Sequence, residues 1–146
     1  MRQLSLFKGQ RQRGEEPPPL EFAVHVVLAD LIRATIAPGW RATHLPLGEV
    51  RDHAINKYGR RYSPSGTRLK RMGVTPGWPD WMFVGLNRRV CFIELKRARK
   101  GRLSVAQSDI AQHLKACDIP YLCTNSINEA VAFLKAHGIV RATIQV

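Results

Sequence analysis

Apolar residues along the chain first recur at intervals of three and four between residues 20 and 35, which predicts a long amphipathic helix. Three prolines precede this helix, and the pair Pro38-Gly39 is expected to end it. A short strand is predicted next, at Trp40–Leu45. Residues 49–79 show no sustained period, and we interpret them as a long irregular connection with a short helix near 49–58.

The second half of the chain is predicted to alternate short strands with helices. The elements are strands at Trp81–Gly85 and Val90–Lys96, a helix from Ser104 to about Ala116, a strand at Ile119–Thr124, a helix from Ser126 to Gly138 and a last strand at Val140–Ile144. Ser126 and Glu129 have the spacing of a capping box. The order predicts an α/β fold with a mixed central sheet in a single domain, residues 20–146, after a flexible N-terminal arm, residues 1–19.

Composition adds a strong charge signal to this picture. The chain has 146 residues, 45% of them apolar, which is enough for one folded core. Lys and Arg number 23 against 11 acidic residues, a net charge of +12 that favours polyanionic partners such as nucleic acid. The sequence shows no membrane-spanning run and no secretory leader. Cys91, Cys117 and Cys123 form no CxxC pair, which favours reduced thiols in the cytoplasm over disulfides or a zinc site.

Glu94 is the first candidate for chemistry, because it interrupts the apolar run Val90–Leu95, where an unpartnered charge would be costly. Residues two apart in a strand share a face, so Lys96 points the same way as Glu94. The alternative is an ordinary Glu–Lys pair on a surface strand. The apolar setting favours a functional pair.

The turn before this strand predicts a partner for Glu94. A three-residue loop at residues 86–88 would pair Gly85 with Arg89 and, farther along both strands, would bring Asp80 opposite Glu94. Two carboxylates at that distance repel each other unless a cation lies between them or one is protonated. Oxygen ligands suit a hard cation, so the hairpin predicts a Mg²⁺ or Mn²⁺ site.

The residues around these carboxylates form a longer motif. It consists of Gly73, Pro76-Gly77-Trp78-Pro79-Asp80-Trp81, Phe92-Ile93-Glu94-Leu95-Lys96 and Gly101-Arg102-Leu103-Ser104 followed by Gln107. This motif resembles the VRR-NUC domain of the PD-(D/E)XK nuclease superfamily, and the likeness covers roughly residues 20–138. The resemblance implies a restriction-endonuclease-like αβββαβ core and metal-dependent hydrolysis of DNA.

The resemblance also implies a metal-ligand set. Asp80, Glu94 and the backbone carbonyl of Leu95 would bind Mg²⁺ or Mn²⁺, and Glu21 on the first helix corresponds to an additional acidic residue found in many members. For Glu21 a structural role is the alternative, because a carboxylate in the first turn of a helix is favoured by the helix dipole.

Two further residues receive catalytic roles from the resemblance. Lys96 would be the catalytic lysine, and Gln107 would be an accessory polar residue on the following helix. Gln107 has an alternative role, because Ser104-Val105-Ala106-Gln107 fits a capping box. The two roles are compatible, since Gln107 is expected on the inward face of that helix.

The connection between the first two predicted strands is the expected nucleic-acid contact. Its cations are Arg51, Lys57, Arg60, Arg61, Arg68, Lys70 and Arg71. They accompany one acid, Asp52, and two tyrosines that could stack on bases. A solvated charged loop is the alternative. His44 and Glu49 are retained as contacts of the DNA or the site, His53 is weighed as a general base, and His25 receives no role.

The N-terminal arm contains a second motif, Gln3-Leu4-Ser5-Leu6-Phe7. It resembles the pentapeptide by which bacterial repair and replication proteins bind the β sliding clamp. Such a peptide would offer Leu4, Leu6 and Phe7 to apolar pockets from a flexible tether. A chance apolar patch in the arm is the alternative.

These observations converge on a metal-dependent DNA endonuclease. By resemblance, it is expected to cut branched DNA such as Holliday junctions or flaps in repair or recombination, as a homodimer. The clamp-like motif suits a bacterial or phage protein that acts on DNA in the bacterial cytoplasm. Two alternatives stay open. One is a restriction-type nuclease that recognises a sequence, and the other is a catalytically silent DNA-binding adaptor that docks on the sliding clamp.

Overall fold

The computed structural model describes residues 20–47, 52–96 and 102–141. Several predictions lie outside these ranges. They concern the arm 1–19 with its clamp-like motif, Glu49, Arg51 and the end of the last predicted strand at 142–144.

Four helices and six strands form within the described ranges. In chain order they are α1 (Leu20–Thr35), β1 (Trp40–His44), β2 (Ala54–Ile55), β3 (Arg61–Tyr62), α2 (Pro64–Arg71), β4 (Trp81–Gly85), β5 (Arg89–Leu95), α3 (Val105–Ala116), β6 (Tyr121–Thr124) and α4 (Ile127–Ala136). The fold is mixed α/β, as predicted. None of the helices in these ranges is long and apolar enough to cross a membrane.

A four-stranded sheet in the order β1-β4-β5-β6 carries the fold. β1 and β5 both run antiparallel to β4, whereas β6 runs parallel to β5, so the sheet is mixed, as predicted. The predicted hairpin register is confirmed, because Gly85 pairs with Arg89 across a loop of three residues. Asn87 and Arg88 in that loop have φ values of 59° and 61°, a left-handed conformation that Asn tolerates better than most residues.

The core lies between one face of the sheet and the helices α1 and α4. Strand residues alternate between faces, so Phe83 and Ile93 point into this core, where both are fully buried. Leu28 of α1 and Leu134 of α4 are also fully buried and pack in the same cluster. Apolar residues of both helices are therefore buried against the sheet, and this burial fixes the position of α1 on it.

The connection between β1 and β4 differs from its prediction. The short helix expected near 49–58 is wrong for the described part of that stretch, because β2 lies there and pairs with β3 in a small antiparallel ribbon. The side-chain oxygen of Asn56 accepts hydrogen bonds from the backbone nitrogens of Tyr58 and Arg60, each at 3.0 Å. This side-chain turn competes with helix formation and reverses the chain.

Helix α2 was also missed by the sequence reasoning. Ser63 caps it by accepting a hydrogen bond from the backbone nitrogen of Gly66 at 2.9 Å, and Pro64 occupies its first turn. The helix has no buried residue, so its sequence lacks the apolar period by which the other helices are recognised.

Several predicted strand ends shift by one or two residues, but one difference has a clear cause. The strand expected from Ile119 begins at Tyr121, because the backbone nitrogen of Ile119 donates to the carbonyl of Leu114 and closes the end of α3. At the other end of the chain, Val140 forms an isolated bridge with Ile36.

Only half of the predicted capping box at the start of α4 is present. Ser126 accepts from the backbone nitrogen of Glu129 at 3.4 Å, as expected. The backbone nitrogen of Ser126 donates instead to the hydroxyl of Thr124 at 2.9 Å, and that hydroxyl donates to the carboxylate of Glu129. Thr124 therefore stands between the two residues that a full box would join directly.

Candidate active site

Asp80 and Glu94 lie side by side at the end of the sheet. The last β4–β5 pair is Trp81 with Ile93, and continuing this register by one residue places Asp80 opposite Glu94. The backbone nitrogen of Leu95 donates to Oδ2 of Asp80 at 2.8 Å. The carboxylate of Glu94 in turn accepts from the backbone N–H of Asp80. Backbone groups thus fix both acidic side chains.

Glu94 belongs to a hydrogen-bonded triangle with Lys96 and Gln107. The Lys96 ammonium lies 2.6 Å from Oε1 of Glu94 and donates to Oε1 of Gln107 at 2.8 Å. The amide nitrogen of Gln107 donates to the same oxygen of Glu94. Glu94 is 2% exposed, so this ion pair is shielded from water. Asp80, Glu94, Lys96 and Gln107 are called the carboxylate cluster below.

The surroundings of Glu94 favour a further positive charge. Burial is the main cause that raises the pKa of this carboxyl group, and the negative charge of Asp80 raises it further. The hydrogen bond from Lys96 lowers the pKa but does not offset both. A cation beside Asp80 and Glu94 would remove this imbalance, and carboxylate oxygens are the ligands that Mg²⁺ takes in proteins.

Both roles weighed for Gln107 coexist in the structure. Its side-chain oxygen accepts from the backbone nitrogen of Ser104 at 3.0 Å, and Ser104 Oγ accepts from the backbone nitrogen of Gln107 at 3.2 Å. The capping box is therefore complete at the start of α3. Because the same oxygen also accepts from Lys96, the helix cap positions the carboxylate cluster.

The two remaining expected ligands are Leu95 and Glu21. Leu95 is buried, 1% exposed, and its backbone nitrogen already orients Asp80. Glu21 stands in the first turn of α1, and the structure describes its backbone alone.

Two residues that the sequence reasoning missed lie on β6 beside Glu94. Cys123 is the register partner of Glu94, and Tyr121 is two residues earlier on the same face. Burial is the main cause that raises the pKa of both side chains, while the nearby charge of Lys96 lowers that of Cys123. No sequence signal gives the register of a parallel neighbour, so this contact could not be predicted.

A histidine pair, His25 and His44, lies on the α1 side of Asp80. The ring centroids of the two histidines are 4.5 Å apart, and that of His44 lies 5.4 Å from the ring centroid of Trp81. Trp81 Nε1 donates to Nδ1 of His25 at 3.0 Å. The sequence predicts His44 as a contact of the DNA or the site, but it predicts no role for His25. The available signal was its spacing, because His25 is one helical turn after Glu21 and shares its face.

The basic insertion, residues 52–74, leaves the sheet and returns to it beside Asp80. It follows β1, and the backbone nitrogen of Leu45 at that end donates to the carbonyl of Asp80 at 2.6 Å. Six of the seven expected cations are described, and all are exposed: Lys57, Arg60, Arg61, Arg68, Lys70 and Arg71. The seventh, Arg51, lies outside the described ranges.

Asp52 is the one acid of the basic insertion, and its carboxylate joins the start of the insertion to the start of α2. Its Oδ1 accepts from the backbone nitrogen of Ser65 at 3.0 Å, from Ser65 Oγ at 2.6 Å and from Ser63 Oγ at 3.0 Å. The hydrogen bonds from Ser65 are the main reason that the pKa of Asp52 is lowered. This carboxylate is thus engaged in local structure at the start of α2, whereas Arg68, Lys70 and Arg71 stand in its last turn.

No model of a known protein family, no curated protein and no solved structure matches this chain. The arrangement of side chains at the end of the sheet is therefore the basis for assigning a function.

Proposed function

We propose that this protein is a DNA endonuclease that depends on Mg²⁺ or Mn²⁺ and belongs with the VRR-NUC nucleases. The observation that carries the proposal is the carboxylate cluster. An acid oriented by a backbone amide, a buried second acid and a lysine meet at one end of the sheet. The element order α1-β1-β4-β5-α3-β6 supports the αβββαβ core that this proposal requires.

Each residue of the cluster has a part in the proposed hydrolysis. Asp80 and Glu94 would hold the cation, and the cation would supply positive charge that stabilises the charge developing on the phosphate. Lys96 reaches the same space with its ammonium and orients the attacking water or a phosphate oxygen. Gln107 holds Lys96 and Glu94 at fixed separation, so that the ammonium is not free to swing toward solvent.

The basic insertion provides the proposed phosphate contacts. Its six described cations are exposed, and the cations of the last turn of α2 also suit the negative end of that helix. Lys57 lies over the ring of Tyr58, with Nζ 5.0 Å from its centroid, and Tyr58 itself is 76% exposed. An exposed ring among cations is suited to stacking on an unpaired base.

An exposed stacking ring is of more use on distorted DNA than on a regular duplex, so we propose branched DNA, such as Holliday junctions or flaps, as the substrate. Paired cuts in a symmetric junction require two sites related by a two-fold axis, which makes a homodimer the proposed active form. Sedimentation of the protein with junction DNA at its working concentration tests this point. A complex that contains a single protein molecule per junction would contradict it.

The N-terminal motif at residues 3–7 supports two further parts of the proposal. Its likeness to a clamp-binding pentapeptide makes the β sliding clamp the proposed partner, with Leu4, Leu6 and Phe7 as its apolar contacts. Such a partner supports the proposal of a bacterial or phage protein that acts on DNA in the bacterial cytoplasm.

A cleavage assay over a panel of DNA shapes tests the proposed function. The wild-type chain is incubated with a four-way junction, a flap and a linear duplex, each with Mg²⁺, Mn²⁺ or Ca²⁺. We expect cleavage of the branched substrates with Mg²⁺ and Mn²⁺. Cutting of fixed sequences in linear DNA would indicate a restriction-type enzyme, and binding without cleavage under every cation would indicate an adaptor.

A further inference from the structure

A second group of metal-binding side chains lies on the α1 side of Asp80. One ring nitrogen of His25, one of His44 and one carboxylate oxygen of Asp80 all lie within 4.8 Å of one another. Ligand atoms that share an ion at bonds of about 2.1 Å are separated by up to about 4.2 Å. Small movements of the side chains therefore suffice for one cation to touch all three.

We propose that His25, His44 and Asp80 form a binding site for a divalent transition-metal ion. Two imidazoles and one carboxylate suit ions such as Co²⁺, Zn²⁺ and Mn²⁺, whereas Mg²⁺ prefers oxygen ligands and keeps its waters. This histidine site goes beyond the proposed nuclease function, because it concerns a different cation and does not require that the protein cut DNA. It shares Asp80 with the carboxylate cluster.

A cavity leads to the histidine site from the α1 side. Its volume is about 390 Å³, and Phe22, Val26, His25, His44 and Trp81 are among its lining residues. His25 is 7% exposed, so its ring is held among packed neighbours. A cation can thus enter through the cavity and meet ligands whose positions are already restricted.

Trp81 sets a condition for loading this site. An indole N–H only donates, so its hydrogen bond to Nδ1 of His25 leaves the proton of a neutral ring on Nε2. A cation bound through Nε2 displaces that proton. Metal-ligating histidines normally carry a proton on the nitrogen that does not bind the metal and donate it to an acceptor. In His25 that nitrogen is Nδ1, which faces a donor. Trp81 therefore opposes loading, and its hydrogen bond to His25 must open when the cation binds.

Cobalt titration of the full-length chain, followed by visible absorption, tests the site directly. Imidazole ligation gives Co²⁺ a spectrum that differs from that of the aqueous ion. We expect the affinity of wild type to fall by about tenfold or more in both His25→Gln and His44→Gln, since each loses a ligand. His53→Gln is the matched control, because His53 is exposed on the basic insertion. Equal affinity in all four proteins would overturn the proposal.

Two further variants separate this site from the carboxylate cluster. In Glu94→Gln the cobalt spectrum is expected to persist, and its loss would assign the bound Co²⁺ to the carboxylate cluster and overturn the proposal. In Trp81→Phe cobalt binding is expected to tighten by about fivefold, which corresponds to one hydrogen bond of about 1 kcal/mol. Thermal unfolding of each variant verifies that it is folded, and unchanged or weaker binding by folded Trp81→Phe would overturn the role of His25. Neither outcome depends on DNA cleavage.

Discussion

Gly77 lies against the first turn of α3 so closely that a side chain would not fit between it and Ala106. A β-carbon at Gly77 would lie 2.5 Å from the carbonyl carbon of Ala106 and 3.0 Å from the backbone nitrogen of Gln107. Gly77 also has a φ of 97°, which favours glycine. This contact sets the loop that carries Asp80 against the helix that carries Gln107.

Gly77→Ala is therefore expected to destabilise the fold and to separate Asp80 from the rest of the carboxylate cluster. The left-handed conformation and the overlap with backbone together predict a loss of about 2–4 kcal/mol in the free energy of unfolding. Urea unfolding measures the loss. Gly73→Ala is the matched control, because Gly73 has a φ of 88° but a β-carbon there would have open space around it. Equal losses in both variants would contradict the packing argument.

The hairpin illustrates what the sequence could predict. The apolar alternation and the loop of residues 86–88 together determined its register, because both signals are local and agree. Gln107 was predictable for the same reason, since the spacing from Ser104 indicates a capping box on its own. These two local features, with the motif that resembles the VRR-NUC domain, were enough to predict the residues of the carboxylate cluster.

The missed parts depend on contacts between distant segments. Cys123 reaches Glu94 only through the parallel pairing of β6 with β5, and His25 reaches His44 only because α1 crosses the sheet where it does. Helix α2 was missed for another reason. It buries no residue, so polar caps and not an apolar period determine where it forms.

The raised pKa of Glu94 predicts how stability depends on pH without divalent cations. The folded state retains this proton above the usual pKa of 4.5, whereas the unfolded state releases it. The folded protein thus binds more protons, and the contribution of Glu94 to stability falls as the pH rises through and above that value. Glu94→Gln cannot ionise at this position.

We expect Glu94→Gln to gain stability relative to wild type as the pH rises from about 4 to about 8. Urea unfolding in the presence of a chelator measures this difference. Asp109→Asn serves as the control, because Asp109 is an exposed acid on α3. A stability difference between Glu94→Gln and wild type that stays constant over the whole pH range would contradict the prediction.

The last turn of α2 is expected to contribute phosphate contacts. Simultaneous replacement of Arg68, Lys70 and Arg71 by Ala should make the dependence on salt less steep. The magnitude of the slope of log affinity for junction DNA against log salt concentration is expected to fall by about 2 to 3. A control with the same change in charge replaces Lys115, Lys135 and Arg141, which are exposed on α3, on α4 and after it. If both triple variants change the slope equally, general charge and not α2 accounts for binding.

The N-terminal motif predicts capture of the protein by the bacterial β sliding clamp. Leu6→Ala combined with Phe7→Ala removes two of the three proposed apolar contacts and should reduce retention on immobilised clamp by about tenfold or more. Because the change lies outside residues 20–146, which carry the carboxylate cluster, cleavage of junction DNA in the absence of clamp should stay at the wild-type rate. Undiminished retention of the double variant would exclude this mode of docking.

The most direct test of the central claim is the single-turnover rate of junction cleavage with Mg²⁺ for wild type, Asp80→Asn and Asp109→Asn. Asp80→Asn keeps the shape of the side chain but removes the charge beside Glu94, so we predict a rate at least about 100-fold lower. Asp109→Asn makes the same chemical change away from the carboxylate cluster and should cleave at the wild-type rate. Cleavage by Asp80→Asn at the wild-type rate would contradict the assignment of the metal-dependent site to this end of the sheet.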